Sequence, residues 1–278
     1  MWFPRSLADA GRRLSGTSEH VLLIGPRGSG RATFARQVHR VGRPSAPFVT
    51  VECGALPQAG SPGAASSYGF WEPVGRTRDL LGQAAGGTLF LRDLDELPLE
   101  WQLDLLRAFR LGAILPGAPE EVGFDVRVIA SCRPELPVRA EQGGFSAALL
   151  ERIGGRVVTV TALRERPDEV LPLFRRIGAR MGLDVRRILS QEPGLAEALQ
   201  RHPWWGQVAE LAAFTWALLH AHQEGRSVRA VELLGSMDTW FLFDRTEARS
   251  TRKGSSPPGA RSQDATSDPG AGAADRCA

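Results

Sequence analysis

The chain has 278 residues, of which 42% are hydrophobic, and its formal net charge at pH 7 is +3. This composition is sufficient for a buried core, and the charge is too small to indicate nucleic-acid binding by itself. The three cysteines lie far apart, which argues against a disulfide framework or a zinc site and suits a cytoplasmic protein. No apolar run approaches the roughly 18 residues of a membrane helix, so we expect no membrane association.

Short apolar runs alternate with helical periodicity over the first 165 residues. Strands separated by helices favour an α/β fold, in which helices cover both faces of a parallel sheet. A stretch rich in Gly, Ala, Ser and Pro at 60–67 is typical of a loop. The predicted strands are 21–24, 48–52, 88–91, 126–130 and 157–160, and the predicted helices are 7–14, 32–41, 100–110 and, as the end of a helix, 80–85.

The strand pattern ends near residue 166, and a helical pattern replaces it. From residue 247 onward large apolar side chains are almost absent, which is typical of a disordered segment. The predicted helices of the second half are 168–181, 192–201, 206–222 and 228–243. We therefore divide the chain into an α/β core at 1–165, a helical lid at 166–243 and a disordered tail at 244–278.

A glycine-rich turn follows the first predicted strand and is called the glycine loop below. It has the spacing of the phosphate-binding motif G-x-x-x-x-G-K-[ST], whose backbone N–H groups and following helix N-terminus attract a phosphate. Arg31 replaces the lysine of that motif, and Ala32 replaces the hydroxyl residue that would hold Mg²⁺. Because all cations before Lys253 except histidines are arginines, Arg31 also fits a general replacement of lysine. The candidate nucleotide-binding residues are Gly25, Pro26, Arg27, Gly28, Ser29, Gly30, Arg31 and Ala32.

Seven segments stand in a characteristic order between about residues 10 and 235. They are VLLIGPRGSG at 21–30, PFVTVECGALP at 47–57, GGTLFL at 86–91, ELPLEWQLDLLR at 96–107, VRVIA at 126–130, LRER at 163–166 and WWGQVAEL at 204–211. Together they resemble the AAA+ ATPase module of bacterial sigma-54-dependent transcription activators. The resemblance implies a P-loop NTPase fold with a small helical lid, ATP or ADP as ligand, assembly into rings and a role in transcription regulation.

The chain departs from this family where the family holds its hydrolytic groups. After the third strand the family places Asp-Glu, the first residue organising Mg²⁺ and the second activating water, whereas this chain has Arg92-Asp93. The flanking residues keep this register without a gap, so Asp95 and Glu96 come one turn too late for that role. The sensor asparagine that the family places at the end of the fourth strand is replaced by Arg133.

Two further positions are changed in the second half of the family's site. The segment 145–153 resembles the stretch that carries two arginines acting on the neighbouring subunit's nucleotide, but the first is Ser146 and only Arg152 remains. The sensing arginine of the lid is replaced by Ala209. Asp93 is thus a residual catalytic candidate and Arg152 a candidate acting in trans. We expect no well-held Mg²⁺, weak ATP or ADP binding and little or no hydrolysis.

Two interpretations of the arginines remain open from the sequence. If Arg31, Arg92 and Arg133 gather at the phosphate end, their charges replace Mg²⁺ and create an anion site that binds without hydrolysis. Alternatively, Arg92 pairs with Asp93, Asp95 or another surface acid, and the pocket is a decayed remnant. Arg152 likewise has two interpretations, a role in trans or a purely structural ion pair with Glu151 or another nearby acid.

The partners follow from the same resemblance. The family's Gly-Ala-Phe-Thr-Gly-Ala loop, which contacts sigma-54, has no counterpart in the segment 66–77, so we expect no direct sigma-54 contact. No helix-turn-helix segment follows the lid, so no DNA-binding domain is expected. We expect a regulatory subunit in a homo- or hetero-oligomer of AAA+ modules, including active sigma-54 activators. The alternatives are a slow ATPase completed by a partner subunit and a nucleotide-independent interaction scaffold.

Overall fold

The computed structural model describes residues 5–57, 80–110, 126–225 and 229–236. Several sequence predictions lie outside these residues: the loop at 60–67, the segment 66–77, half of the predicted helix 228–243 and the tail at 244–278. A helix covers 230–236, within that last predicted helix. In the described part of the chain, no helix is long and apolar enough to cross a membrane.

Five parallel strands form one sheet in the order β2-β3-β4-β1-β5. The α/β prediction is confirmed, and three predicted strands differ from the observed ones by one or two residues at one or both ends. β3 and β4 lie in the middle of the sheet and are almost entirely buried, because helices cover both faces. The strands are β1 (Val21–Ile24), β2 (Phe48–Glu52), β3 (Thr88–Arg92), β4 (Arg127–Cys132) and β5 (Arg156–Thr159).

Side chains alternate between two hydrophobic cores, one on each face of the sheet. Phe90 of β3 packs with Phe34 in one core, whereas its neighbours Leu89 and Leu91 pack with Leu105 in the other. This alternation follows from the two-residue period of a strand. The helices of the α/β part are α1 (Arg5–Ser15), α2 (Arg31–Gly42), α3 (Leu80–Gln83), α4 (Leu99–Arg110), α5 (Leu136–Glu141) and α6 (Ala147–Ile153).

The helices after residue 166 have a hydrophobic core of their own, which contains Phe174, Trp204 and Phe214. One helix of this group, α8, was not predicted from the sequence. It has only seven residues, and it packs so closely on α7 that a Cβ atom at Gly178 would lie 2.2 Å from Val185 Cγ2. The helices are α7 (Val170–Met181), α8 (Val185–Gln191), α9 (Leu195–Arg201) and α10 (Gln207–Gln223), followed by the helix at 230–236.

Candidate functional site

The glycine loop connects β1 to α2 at the carboxyl edge of the sheet. Gly28 and Gly30 have φ angles of 78° and 102°, which side-chain-bearing residues rarely adopt. A Cβ atom at Gly25 would lie 2.4 Å from the carbonyl oxygen of Val160, just after β5. A Cβ atom at Gly28 would lie 2.4 Å from the carbonyl oxygen of Gly206 in the lid. The loop is therefore held between the sheet and the lid in a shape that requires glycine.

Arg31 is the first residue of α2, and its side chain is buried with 6% exposure. Its Nη2 donates a hydrogen bond to Asp93 Oδ1 at 2.8 Å. Its Nη1 is also buried but has no hydrogen-bond partner among the described residues. A buried guanidinium needs a paired acid, and here Asp93 satisfies only part of its hydrogen-bonding capacity.

Asp93 follows β3 directly and has a left-handed backbone with φ 54° and ψ 57°, which aspartate tolerates better than most residues. Its N–H donates to Ser131 Oγ at 3.2 Å. Its second carboxylate oxygen, Oδ2, lies 3.3 Å from Nη2 of Arg27, which also pairs with Glu96. The carboxylate therefore lies between two arginines of the glycine loop, one on each oxygen.

Arg92 and Arg133 pair with other acids. Arg92 is about half exposed, and its Nη1 lies 2.9 Å from Oε1 of Glu52, its neighbour in register on the edge strand β2. Arg133 follows β4, and its Nε lies 2.5 Å from Oδ2 of the buried Asp95. The arginines at 31, 92 and 133 therefore pair with three different acids. Arg92 thus pairs with a surface acid, as the second interpretation of the arginines expects, and this acid is Glu52 rather than Asp93 or Asp95.

The other predicted residues are placed as follows. Ser146 caps α6, where its Oγ accepts a hydrogen bond from the Leu149 N–H at 3.3 Å. The Arg152 guanidinium carbon lies 5.8 Å from the centre of the Phe109 ring, a cation–π distance. Ala209 is exposed in the first turn of α10, and its Cβ lies 3.4 Å from the position that a Cβ of Gly28 would take. Helix α10 of the lid therefore approaches Gly28 with a side chain that has no polar group.

Sequence reasoning did not single out Arg166 as a site residue, although it lies in the LRER segment. Its Nη2 donates to the carbonyl oxygen of Ser29 in the glycine loop at 3.2 Å. Its Nη1 lies 2.8 Å from Glu169 Oε2, and its side chain is 9% exposed. No local sequence pattern could have indicated the contact, because 137 positions separate Arg166 from Ser29. The one available signal was the LRER segment of the family resemblance.

Buried polar atoms without a partner are concentrated at the glycine loop. Among the described residues there are four such side-chain atoms, and three are Ser29 Oγ, Arg31 Nη1 and Arg166 Nε. The fourth belongs to Arg127, the first residue of β4. Its other side-chain nitrogens donate to the backbone carbonyls of Leu14 and Glu19. Two cationic donors and a hydroxyl without partners, beside a glycine cradle, are suited to an anion.

The same edge offers few ligands for a cation. Ala32 has no side-chain oxygen, and both oxygens of Asp93 face arginines. In the described ranges no group of three or more His, Cys, Asp and Glu residues is arranged to hold a metal.

Comparisons with known proteins decide the family. A family model described as the Sigma-54 interaction domain matches residues 5–160, more than half of the chain. The chain belongs to this family. The resemblance to the AAA+ modules of sigma-54-dependent activators is thereby confirmed.

Two curated relatives illustrate the extent of the similarity. The probable regulatory protein HrpS of a Pseudomonas savastanoi pv. phaseolicola pathogenicity locus is 33% identical over 201 residues, covering 69% of this chain and 66% of HrpS. The nitric oxide reductase transcription regulator NorR1 of Cupriavidus necator is 36% identical over 200 residues, covering 69% of this chain and 38% of NorR1. The chain therefore matches about two thirds of HrpS and well under half of NorR1.

Solved structures support the fold. The ATP complex of NtrX from Brucella abortus has a TM-score of 0.66 at 23% identity, covering 90% of this chain and 61% of NtrX. The ADP complex of NtrX has a TM-score of 0.65 at 24% identity. The Sigma-54 interaction domain of this chain thus has the P-loop NTPase fold of AAA+ proteins, as the sequence predicted.

Proposed function

We propose that this chain is a degenerate AAA+ module that binds ATP or ADP weakly through the phosphates, without Mg²⁺ and with little or no hydrolysis. It acts in transcription regulation as a regulatory subunit or partner of an AAA+ assembly. The observation that carries the proposal is the buried ion pair of Arg31 and Asp93, 2.8 Å between Nη2 and Oδ1.

The pair argues against efficient water activation. A general base accepts a proton on a free carboxylate oxygen within hydrogen-bond reach of the water. Asp93 is the residual acid after β3, and each of its oxygens faces a guanidinium, from Arg31 or Arg27. Neither oxygen is therefore free to accept a proton from an attacking water.

The side chains at this edge do not fit a magnesium ion. Mg²⁺ in nucleotide sites is usually held by one or two protein oxygens together with phosphates and water. Ala32 supplies no oxygen, and Arg92 stands where the resemblance implies the metal-organising acid. The acids that remain there, Asp93, Asp95 and Glu96, each pair with an arginine.

A phosphate chain fits better. The glycine loop has the backbone shape of a phosphate cradle, and the buried Arg31 Nη1 beside it has no partner among the described residues. NtrX, which shares the fold, has been crystallised with ATP and with ADP. Without a metal to neutralise the phosphates, the affinity depends on the arginines and backbone N–H groups alone. We therefore expect a modest affinity.

The regulatory role rests on the relatives. HrpS and NorR1 are named as regulators, and the matched part of this chain corresponds to a portion of each. Modules of the resembled family work as rings, so a subunit with impaired hydrolysis joins or antagonises an active ring. Two measurements on the purified chain, alone and mixed with an active family member, test this role. Size-exclusion chromatography with light scattering measures the oligomers, and phosphate release measures the ATPase activity. Mixed oligomers with reduced ATPase activity support it, and independent elution with unchanged activity contradicts it.

Two measurements test nucleotide binding and hydrolysis. Melting temperatures are recorded with ATP and ADP, in Mg²⁺ and in EDTA, because a ligand of the folded state raises the melting temperature. We expect an increase that EDTA leaves unchanged and that Gly30→Asp, which blocks the loop, abolishes. Phosphate release by the wild type should equal release by Asp93→Asn. A wild-type rate above that of Asp93→Asn supports a slow ATPase, and no nucleotide response at all supports a scaffold.

A further inference from the structure

We infer that Arg166, the first residue of the lid, is a second phosphate-binding residue of this site. The inference rests on the proposed binding of a metal-free nucleotide at the glycine loop. It assigns to Arg166 the cationic contact from the lid side that Ala209 cannot provide.

The position of Arg166 carries the first part of the argument. Its Nη2 donates to the carbonyl oxygen of Ser29 at 3.2 Å, so its guanidinium lies against the glycine loop. Its Nη1 is engaged by Glu169 at 2.8 Å. Two corners of the planar group are thus anchored, and this sets the direction of the third nitrogen, Nε.

The free hydrogen-bonding capacity of the site carries the second part. Arg166 Nε is buried and has no partner among the described residues. The same holds for Ser29 Oγ and for Arg31 Nη1, whose residues are 1% and 6% exposed. A buried donor without an acceptor is unfavourable, and three such atoms on one loop and its immediate neighbour indicate a missing anionic acceptor.

Charge carries the third part. Arg31 and Arg27 share Asp93, so part of the positive charge of the glycine loop is already neutralised. Arg166 contacts the glycine loop from the start of the lid, and its acidic partner is Glu169 rather than Asp93. A phosphate bound between Arg31 and Arg166 would receive donors from two sides. It would also tie the start of the lid to the loop.

The test is titration calorimetry in EDTA with ADP, inorganic pyrophosphate and adenosine as probes. Arg166→Gln removes the charge but keeps a donor that can reach the Ser29 carbonyl, and Arg166→Lys keeps a cation. Arg164→Gln is the matched control, because Arg164 belongs to the same LRER segment, is half exposed and pairs only loosely with Glu165 at 3.8 Å.

We expect Arg166→Gln to weaken ADP and pyrophosphate binding about tenfold, the effect of losing one charge-assisted hydrogen bond. Adenosine binding should not change, Arg166→Lys should recover part of the loss, and Arg164→Gln should match the wild type. Equal affinities of Arg166→Gln and wild type for pyrophosphate overturn the inference and leave the proposed function standing.

Two other outcomes are also decisive. If Arg166→Gln weakens adenosine as much as ADP, lowers the melting temperature without ligand and is not rescued by lysine, Arg166 is only a structural tie between loop and lid. That result overturns the inference. If the wild type binds neither ADP nor pyrophosphate, the nucleotide part of the proposed function fails, and the inference fails with it.

Discussion

Arg31 at the start of α2 and Asp93 directly after β3 form a buried ion pair across 62 positions of the sequence, with Nη2 and Oδ1 2.8 Å apart. Arg27 approaches the other oxygen of the same carboxylate. The carboxylate of Asp93 therefore pairs with Arg31 and Arg27, the two loop arginines that would otherwise be available to a phosphate. The pair therefore affects both the stability of the fold and the binding properties of the loop.

Breaking this pair from one side should be costly. Asp93→Leu leaves Arg31 buried without its acid, and we expect the free energy of unfolding to fall by about 3–5 kcal/mol. The double variant Arg31→Met with Asp93→Leu removes both charges and should recover the electrostatic part of that loss, but not the strain of leucine at the left-handed φ of 54°. Urea unfolding of the single and double variants measures the difference.

The control is an exposed pair on the same sheet. Arg92→Gln breaks the pair with Glu52, and both side chains are about half exposed, so we expect a change below about 1 kcal/mol. If Asp93→Leu is no more destabilising than Arg92→Gln, the buried pair does not contribute as described.

Neutralising Asp93 should strengthen phosphate binding. In Asp93→Asn, Arg31 and Arg27 no longer share a carboxylate, and a negative charge that repels phosphate is lost. We expect pyrophosphate in EDTA to bind several-fold more tightly than to the wild type, by titration calorimetry. Glu52→Gln, which removes one acid from the same sheet edge, is the control and should have a much smaller effect. Weaker binding to Asp93→Asn would contradict competition between Asp93 and phosphate.

The contact between the glycine loop and the lid can be tested at one atom. Gly28→Ala adds a Cβ that would lie 2.4 Å from the Gly206 carbonyl oxygen, in addition to the strain of a positive φ. Gly182→Ala is matched, because Gly182 has a φ of 82° but no atom within 4 Å of a Cβ. We expect about 1–2 kcal/mol of destabilisation for Gly182→Ala, from backbone strain alone, and more for Gly28→Ala. Equal losses in thermal unfolding would show that the lid moves away without cost.

His20 should make the fold less stable in acid. Burial, followed by the charges of Arg152 and Arg127, lowers the pKa of His20 from 6.5 to about 4, and its Nδ1 accepts a hydrogen bond from the Val128 N–H. Between these values the unfolded chain binds a proton here and the folded protein does not, so stability falls as the pH falls. His20 lowers the free energy of unfolding in acid by at most an amount on the order of 3 kcal/mol.

The measurement for His20 is the free energy of unfolding from pH 7 to pH 4. His20→Asn keeps a side-chain acceptor but does not titrate, so its curve should be flatter than that of the wild type over this range. Parallel curves would mean that His20 is protonated equally in both states.

The described thiols should be inert in the native protein. Cys53 and Cys132 are fully buried, and burial, with nearby carboxylates adding to it, raises the pKa of Cys132 to about 12. Because the thiolate is the reactive form, labelling in a Cys277→Ser background should follow unfolding of the chain. Rapid labelling by a thiol reagent at pH 8, before any loss of structure, would contradict this.

The sequence alone was sufficient for the family and the fold class. The family resemblance and the α/β fold are confirmed, and the glycine loop follows its strand as predicted, because glycine spacing and apolar runs are local signals. The short helices α5, α6 and α8 were missed, and α8 illustrates the reason. Its stability comes from packing on Gly178 and from a cap in which Asp184 accepts from the Arg187 N–H, and neither gives a long periodic pattern.

Only the tertiary structure decided which acid each arginine binds. The sequence placed Arg92 beside Asp93, but in the sheet Arg92 stands next to Glu52 on β2, 40 positions away. Arg166 and Ser29 meet across 137 positions, for which no local pattern exists. Ion pairs depend on which segments the fold brings within a few ångströms of one another. The sequence therefore determined that this edge is rich in arginine, and the packing of strands and lid decided which of those charges remain available for a ligand.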